Sequence, residues 1–188
     1  MLERLGLWRA GEDGPVAPET LQLDDDGVVP NSPLPVLLYR GEPAPGDAAA
    51  ATFEHLFTAH RWPAQWRGGV FPFHHYHSRA HEALGVGAGW ARIQLGGEHG
   101  PTVEVSAGDA IVLPAGTGHC RIKEEDEFTV VGAYPANQPE WDLLRADPRE
   151  HDAAVERIAR VPQPEADPVD GADGPLGRLW TTQPEPVR

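Results

Sequence analysis

The chain is predicted to be an all-β core carrying helices at its periphery. Between Trp66 and Tyr134, short apolar runs are punctuated by glycines, the pattern of an antiparallel β architecture. Ala-rich sequence with helical spacing precedes this core and a second helical stretch follows it. At 188 residues there is one such core, with extensions, and no internal repeat that would make a second barrel.

The elements follow in order. The first thirty-odd residues are rich in Gly, Pro and Asp; Asp24-Asp25-Asp26-Gly27 reads as a turn and Pro30-Asn31-Ser32-Pro33 as a breaker. Leu34 to Arg40 is a plausible edge strand. Gly46 to Arg61 brings Phe53, Leu56, Phe57 and His60 onto one helical face before Pro63 stops it, so it should cover the barrel's outer face or one end. Gly85, Gly87 and Gly89 mark a turn into a strand at Trp90 to Leu95, and Gly96 to Gly100 is a hairpin loop before Thr102 to Val105. Gly108-Asp109 turns the chain into Ala110 to Leu113, and Asp126-Glu127 leads into Phe128 to Tyr134. Strands of these lengths fit a jelly roll, a barrel made of two sheets. Helix is expected from Trp141 through Leu144 and from Arg149 to Arg160. The stretch from Pro162 is Pro-, Asp- and Gly-rich, but Leu176, Leu179 and Trp180 should make part of it a packed strap. The organisation is thus a single domain over 1–188, with its barrel core at about 66–134, an extension over 1–65 and a helix plus strap over 135–188.

A formal net charge of -14 argues against nucleic acid and anionic membrane as partners, because both need clustered Lys and Arg. The single cysteine, Cys120, excludes an intramolecular disulfide and is expected to be a buried, inert thiol. No apolar run approaches the length of a membrane span, and the start has no signal-peptide core, so a cytoplasmic protein is expected.

The chemistry concentrates at His74-His75-Tyr76-His77 through His81-Glu82, with His119 farther on. Successive side chains of a strand alternate between faces, so His75 and His77 project together while His74 and Tyr76 project away. Two imidazoles, the Glu82 carboxylate and His119 from a distant strand could close on one divalent ion.

The spacing is a pattern in itself. From Gly69 there are five residues to His75, one to His77, four to Glu82 and six to Gly89. From Gly108 there are five to Pro114, one to Gly116 and two to His119. These two runs resemble the paired motifs of the cupin superfamily at every glycine, proline and ligand position. The second motif departs at Lys123, where the family often has Asn. The resemblance spans Gly69 to Tyr134, about a third of the chain. The wider text, FHHYHSRAHEALGV through GAYPANQPEWDLLR, also looks like the YjlB-like group of bacterial single-domain cupins.

The resemblance implies a cupin jelly-roll (double-stranded β-helix) barrel, a homodimer, and one divalent metal ion held by His75, His77, Glu82 and His119. Three nitrogens and one oxygen suit Fe(II), Mn(II), Ni(II), Co(II), Cu(II) or Zn(II). Glu82, Arg121 and His81 are candidate catalytic residues. Arg121 shares the face of His119 if its strand continues and could hold a substrate carboxylate, or could pair with a surface acid. His81 points away from the ion in a regular strand, whereas a bulge over 78–80 would re-aim it as an outer partner or proton carrier. His74 and Tyr76 offer outer-face surface for packing or for contact with a second subunit. His55, His60, His99 and His151 are expected to be ordinary packing or surface residues. Trp62, Trp66, Trp90 and Trp141 are read as core and cover, one of which could wall a substrate pocket.

Function is expected to be that of a metal-dependent enzyme on a small organic molecule, an oxygen-activating dioxygenase. The alternatives are a redox-neutral isomerase, epimerase or lyase using the ion as a Lewis acid, and a non-catalytic metal- or ligand-binding cupin. The open positions of the ion should face a cavity inside the barrel, lined by Arg121 and closed by the 46–61 helix or the Pro-rich tail.

Overall fold

The structure, a computed structural model, describes residues 17–41 and 48–181. Two antiparallel sheets pack face to face as a jelly-roll barrel. The six-stranded sheet runs β1 (Glu19–Leu21), β2 (Val36–Tyr39), β8 (Ala110–Leu113), β5 (Glu82–Ala88), β10 (Thr129–Ala133), β3 (Ala64–Gly68). The five-stranded sheet runs β11 (Leu144–Arg145), β4 (His75–Tyr76), β9 (His119–Glu124), β6 (Trp90–Leu95), β7 (Thr102–Ser106).

Alternation sorts the six-stranded sheet into two buried faces. Val36, Leu38, Leu84, Val86, Ile111 and Leu113 point into the barrel and meet Ile93, Leu95 and Val105 of the other sheet. Leu37, Tyr39, Ala83, Ala110 and Val112, one residue out of phase, point outward against helix α1 (Ala48–Ala59) and the C-terminal strap. Phe53 and Phe57 of α1 and Trp180 of the strap are fully buried there. The strap packs through Leu176 of the short helix α3 (Leu176–Leu179) and through Trp180, but Leu179 is exposed, contrary to expectation.

The segment read as a turn at 85–89 is instead strand up to Ala88, and only Gly89, at φ 65°, turns the chain. Gly85 and Gly87 are small because α1 lies on them: a Cβ at Gly85 would stand 2.3 Å from the Phe53 ring, and one at Gly87 2.7 Å from Ala50.

The expected helix over Trp141 to Leu144 does not form. Leu144 and Arg145 pair with Tyr76 and His75 as β11, and the Asp142 carboxylate accepts from the backbone N–H groups of Ser78 and Arg79. Helix α2 (His151–Ile158) starts two residues later than expected. Together with Val29, Leu144, Ala146 and Ile158 it buries Tyr76 completely, so Tyr76 offers no surface to a second subunit. No helix among the described residues is long and apolar enough to cross a membrane.

Candidate metal centre

The histidines are brought together where the two-residue strand β4 meets the start of the six-residue strand β9. In β4, His75 pairs directly with His119 at the start of β9, and their ring centroids are 4.0 Å apart. His77 leaves the end of β4 on the same face. Glu82 opens β5 in the other sheet, paired with Leu113, so the cluster joins the two sheets. All four side chains are buried.

The rings are oriented by the main chain. Nδ1 of His75 donates to the Phe73 carbonyl at 3.0 Å, Nδ1 of His119 to the Thr117 carbonyl at 3.0 Å, and Nδ1 of His77 to the Asp142 carbonyl. A carbonyl only accepts, so each Nδ1 carries the proton and each Nε2 presents a lone pair. The ligand-capable atoms of the three histidines lie within 4.8 Å of one another. Glu82 approaches with Oε1 at 3.3 Å from His77 Nε2 and Oε2 at 3.3 Å from His119 Nε2. Oε1 also accepts from the Tyr134 hydroxyl at 2.8 Å, which accepts in turn from Trp66 Nε1 at 3.2 Å.

Buried in this way, the cluster leaves Glu82 Oε2 without a hydrogen bond. An orphaned carboxylate oxygen facing imidazole lone pairs is unfavourable unless a cation lies between them. The residues therefore fit a divalent metal ion, with outer carbonyls setting the imidazoles as metal-ligating histidines require. In the metal-free protein, burial pushes His75 down to about 3, and the charge of His119 adds to it. Burial alone would lower His77 and raise Glu82. Their mutual attraction outweighs burial in both, with His119 also acting on Glu82: His77 is raised and the Glu82 carboxyl is held well below its usual range.

A cavity of about 450 Å³ opens from this cluster. Besides His75, His77, Glu82 and His119, its walls include Gln65, Trp66, Phe71, Tyr134, Trp141 and Leu143. Trp141 stacks on Tyr134 at 4.8 Å and meets the His77 ring edge-on at 6.1 Å. Residues 46–47 and 182–188 of the expected helix and tail lie outside the described residues; among the described ones, α1 and the strap contribute nothing to these walls, both lie on the outer face of the six-stranded sheet, and segment 141–143 occupies the place expected for them.

Two candidates are not brought to the centre. Arg121 is absent from the cavity walls, its guanidinium paired with Glu124 three residues along β9. His81 is buried on the opposite side of β5, where Nδ1 accepts from the Ala115 N–H at 2.9 Å and the ring packs on Trp180 at 4.7 Å. No bulge re-aims it.

Sequence reasoning missed three contributors. Tyr134 fixes Glu82. Asp142 orients His77 through its carbonyl while its carboxylate accepts from Ser78 N–H at 2.7 Å and Ser78 Oγ at 2.5 Å. Asn31, read as part of a breaker, accepts from Gly118 N–H at 3.1 Å and donates to the Gly96 carbonyl at 3.0 Å, clamping the loop before His119. Polar side chains flanked by Pro or Trp were the available signal for Asn31 and Asp142.

The jelly-roll barrel, with both spaced motifs closed on one buried three-histidine group, defines a cupin. Over 163 residues the chain is 40% identical to the uncharacterized protein YjlB of Bacillus subtilis (strain 168), covering 86% of this chain and 96% of that one. It belongs to the same family as YjlB. No family model matches the chain. Similar solved structures include procruciferin, an 11S globulin of Brassica napus, at 17% identity and TM-score 0.35 over 65% of this chain and 30% of that one. Another is the oxalate decarboxylase formate complex of Lactobacillus farciminis, at 15% identity and TM-score 0.35 over 78% of this chain and 42% of that one. The chain spans less than half of either structure.

Proposed function

We propose that the protein is a metal-dependent cupin enzyme acting on a small organic molecule, of the oxygen-activating dioxygenase type. His75, His77, His119 and Glu82 would hold the ion, one of Fe(II), Mn(II), Ni(II), Co(II), Cu(II) or Zn(II), of which all but Zn(II) can change oxidation state as oxygen chemistry requires. A redox-active ion supplies the electrons that let dioxygen react with an organic molecule bound beside it. The chain's own residues do the rest. Tyr134 and Trp66 hold one oxygen of Glu82 in place, and Trp66, Phe71, Trp141 and Leu143 exclude water from the substrate.

The observation that favours oxygen chemistry over a redox-neutral isomerase or lyase is the composition of the cavity. Among the described residues, its titratable side chains are the four ligands and Tyr134. Burial, with the Glu82 charge adding to it, raises the Tyr134 phenol above its ordinary range and makes it a poor proton donor. No other acid or base stands ready for the proton transfers that a redox-neutral reaction requires.

The test is oxygen uptake by Fe(II)- and Mn(II)-reconstituted protein offered diketones and catechols. Uptake that depends on substrate and is lost in His77→Ala supports the reading. Equal turnover without oxygen would move it to the redox-neutral class. Pairing of two chains belongs to the proposal, since Phe71 and Ile122 are exposed apolar side chains; chromatography with mass detection showing monomer alone removes it.

A further inference from the structure

The cavity above the histidines has a one-sided chemistry. Its apolar walls are Trp66, Val70, Phe71, Leu84, Trp141 and Leu143, and none of its described residues is Lys or Arg. The nearest expected cation, Arg121, is paired with Glu124 outside the walls. A carboxylate or phosphate that entered would lose its hydration and find no counter-charge away from the ion.

The charge at the ion sets how much negative charge can be accepted. Three neutral imidazoles and one carboxylate around a divalent cation leave one net positive charge. A single ligating oxygen, neutral or ionised, is therefore accommodated there, and a second anionic group is not. The walls favour flat bodies: aromatic rings prefer aromatic partners, and Trp141, already stacked on Tyr134, keeps an exposed surface at the mouth.

Resting on the metal-site reading above, we infer that the cavity selects substrates with an apolar, aromatic-like body and one ligating end, and rejects those with a second charge. Its volume of about 450 Å³ lies within the range of pockets that enclose a small organic ligand. Dicarboxylates, sugar acids and phosphorylated molecules fall outside this class.

Calorimetry on the Zn(II)-loaded full chain tests it, using benzoate against terephthalate and phenylacetate against 1,4-phenylenediacetate. Each pair differs by one carboxylate, placed across the ring from the ligating end. The monoanion should bind roughly tenfold or more tightly in each pair. Trp141→Ala should weaken benzoate by about tenfold while elemental analysis shows unchanged zinc, and Arg121→Ala should leave all four affinities unchanged. Equal or tighter binding of the dicarboxylates, failure of both benzoate and phenylacetate to bind, or a loss confined to the dicarboxylates in Arg121→Ala would each overturn the inference. Failure of the metal reading is seen separately, as a wild-type chain that takes up no zinc before any probe is added.

Discussion

Glu82, the first residue of β5, and His81, just before it, are both buried and face two different regions of the molecule. Behind His81, the strap is tied down by polar groups that satisfy one another. Asp167 accepts from the Tyr39 hydroxyl at 2.5 Å and from the N–H groups of Val169, Asp170 and Leu176, while the indoles of Trp62 and Trp180 donate to the Ala166 and Pro35 carbonyls. In front of Glu82 the polar groups stop short: one carboxylate oxygen is buried without a hydrogen bond, and the ligand-capable atoms of three histidines converge beside it. Buried polar groups are either partnered internally or held for something absent from the chain. The rear region, where His81 Nε2 is left over beside these satisfied groups, is built for stability, and the front one, where a charged oxygen is left over among histidines, for a ligand.

If that division is right, damage to one region should not be felt in the other. The largest expected effect is at the front. His119→Ala removes a candidate ligand and should cost more than the roughly 10 to 100-fold in affinity that loss of an outer partner costs. Elemental analysis of the purified variant should find little metal, with the urea midpoint of the metal-free protein close to that of metal-free wild type. Full metal content in this variant would end the metal-centre assignment.

Asp167→Ala is the reverse experiment. It leaves four donors without their acceptor under the buried strap and should destabilise the protein by about 3 to 5 kcal/mol in urea denaturation. Metal stoichiometry of the folded fraction should stay that of wild type. A parallel loss of metal would show that the strap supports the front as well.

How far these regions could be read from the sequence differs for a physical reason. The candidate ligands were legible because metal sites need particular residue types at strand spacing, and His75, His77, Glu82 and His119 carry both signals. The barrel was legible from period-2 alternation and glycine punctuation. Asp142 was not, because it acts on His77 through a main-chain carbonyl 65 positions away, and a backbone group leaves no mark in side-chain identity. Gly85 and Gly87 were read as a turn because glycine signals both turns and close approach, and only the position of α1 decides between them. Arg121 shares a face with His119, as strand geometry requires, but a long side chain goes to its nearest acid, here Glu124.

Asp142 sharpens the comparison from within the front region. Its carboxylate anchors the loop to Ser78 and Arg79 while its carbonyl aims His77. Asp142→Ala should therefore lower metal affinity by about tenfold, in a chelator competition assay, without abolishing binding. An affinity equal to wild type would mean that the loop is held by Trp141 and β11 alone.

The smallest expected effect separates the regions by pH. Burial raises the Tyr39 phenol above its ordinary value of about 10, and the charges of Asp167 and Asp170 add to the rise. A raised folded-state pKa means that the folded protein keeps a proton the unfolded chain releases. The stability it contributes is fully present below about pH 10 and lost as pH climbs beyond it. Tyr39→Phe should cost about 1 kcal/mol at neutral pH, because Asp167 keeps its three backbone donors. The variant should also flatten the fall in stability above about pH 10, leaving the share carried by Tyr76 and Tyr134, whose phenols burial also raises. Urea midpoints across the alkaline range measure both. A wild-type slope in the variant would mean that the Tyr39 phenol already ionises in the folded protein, and that the rear region is less tightly closed than its hydrogen bonds imply.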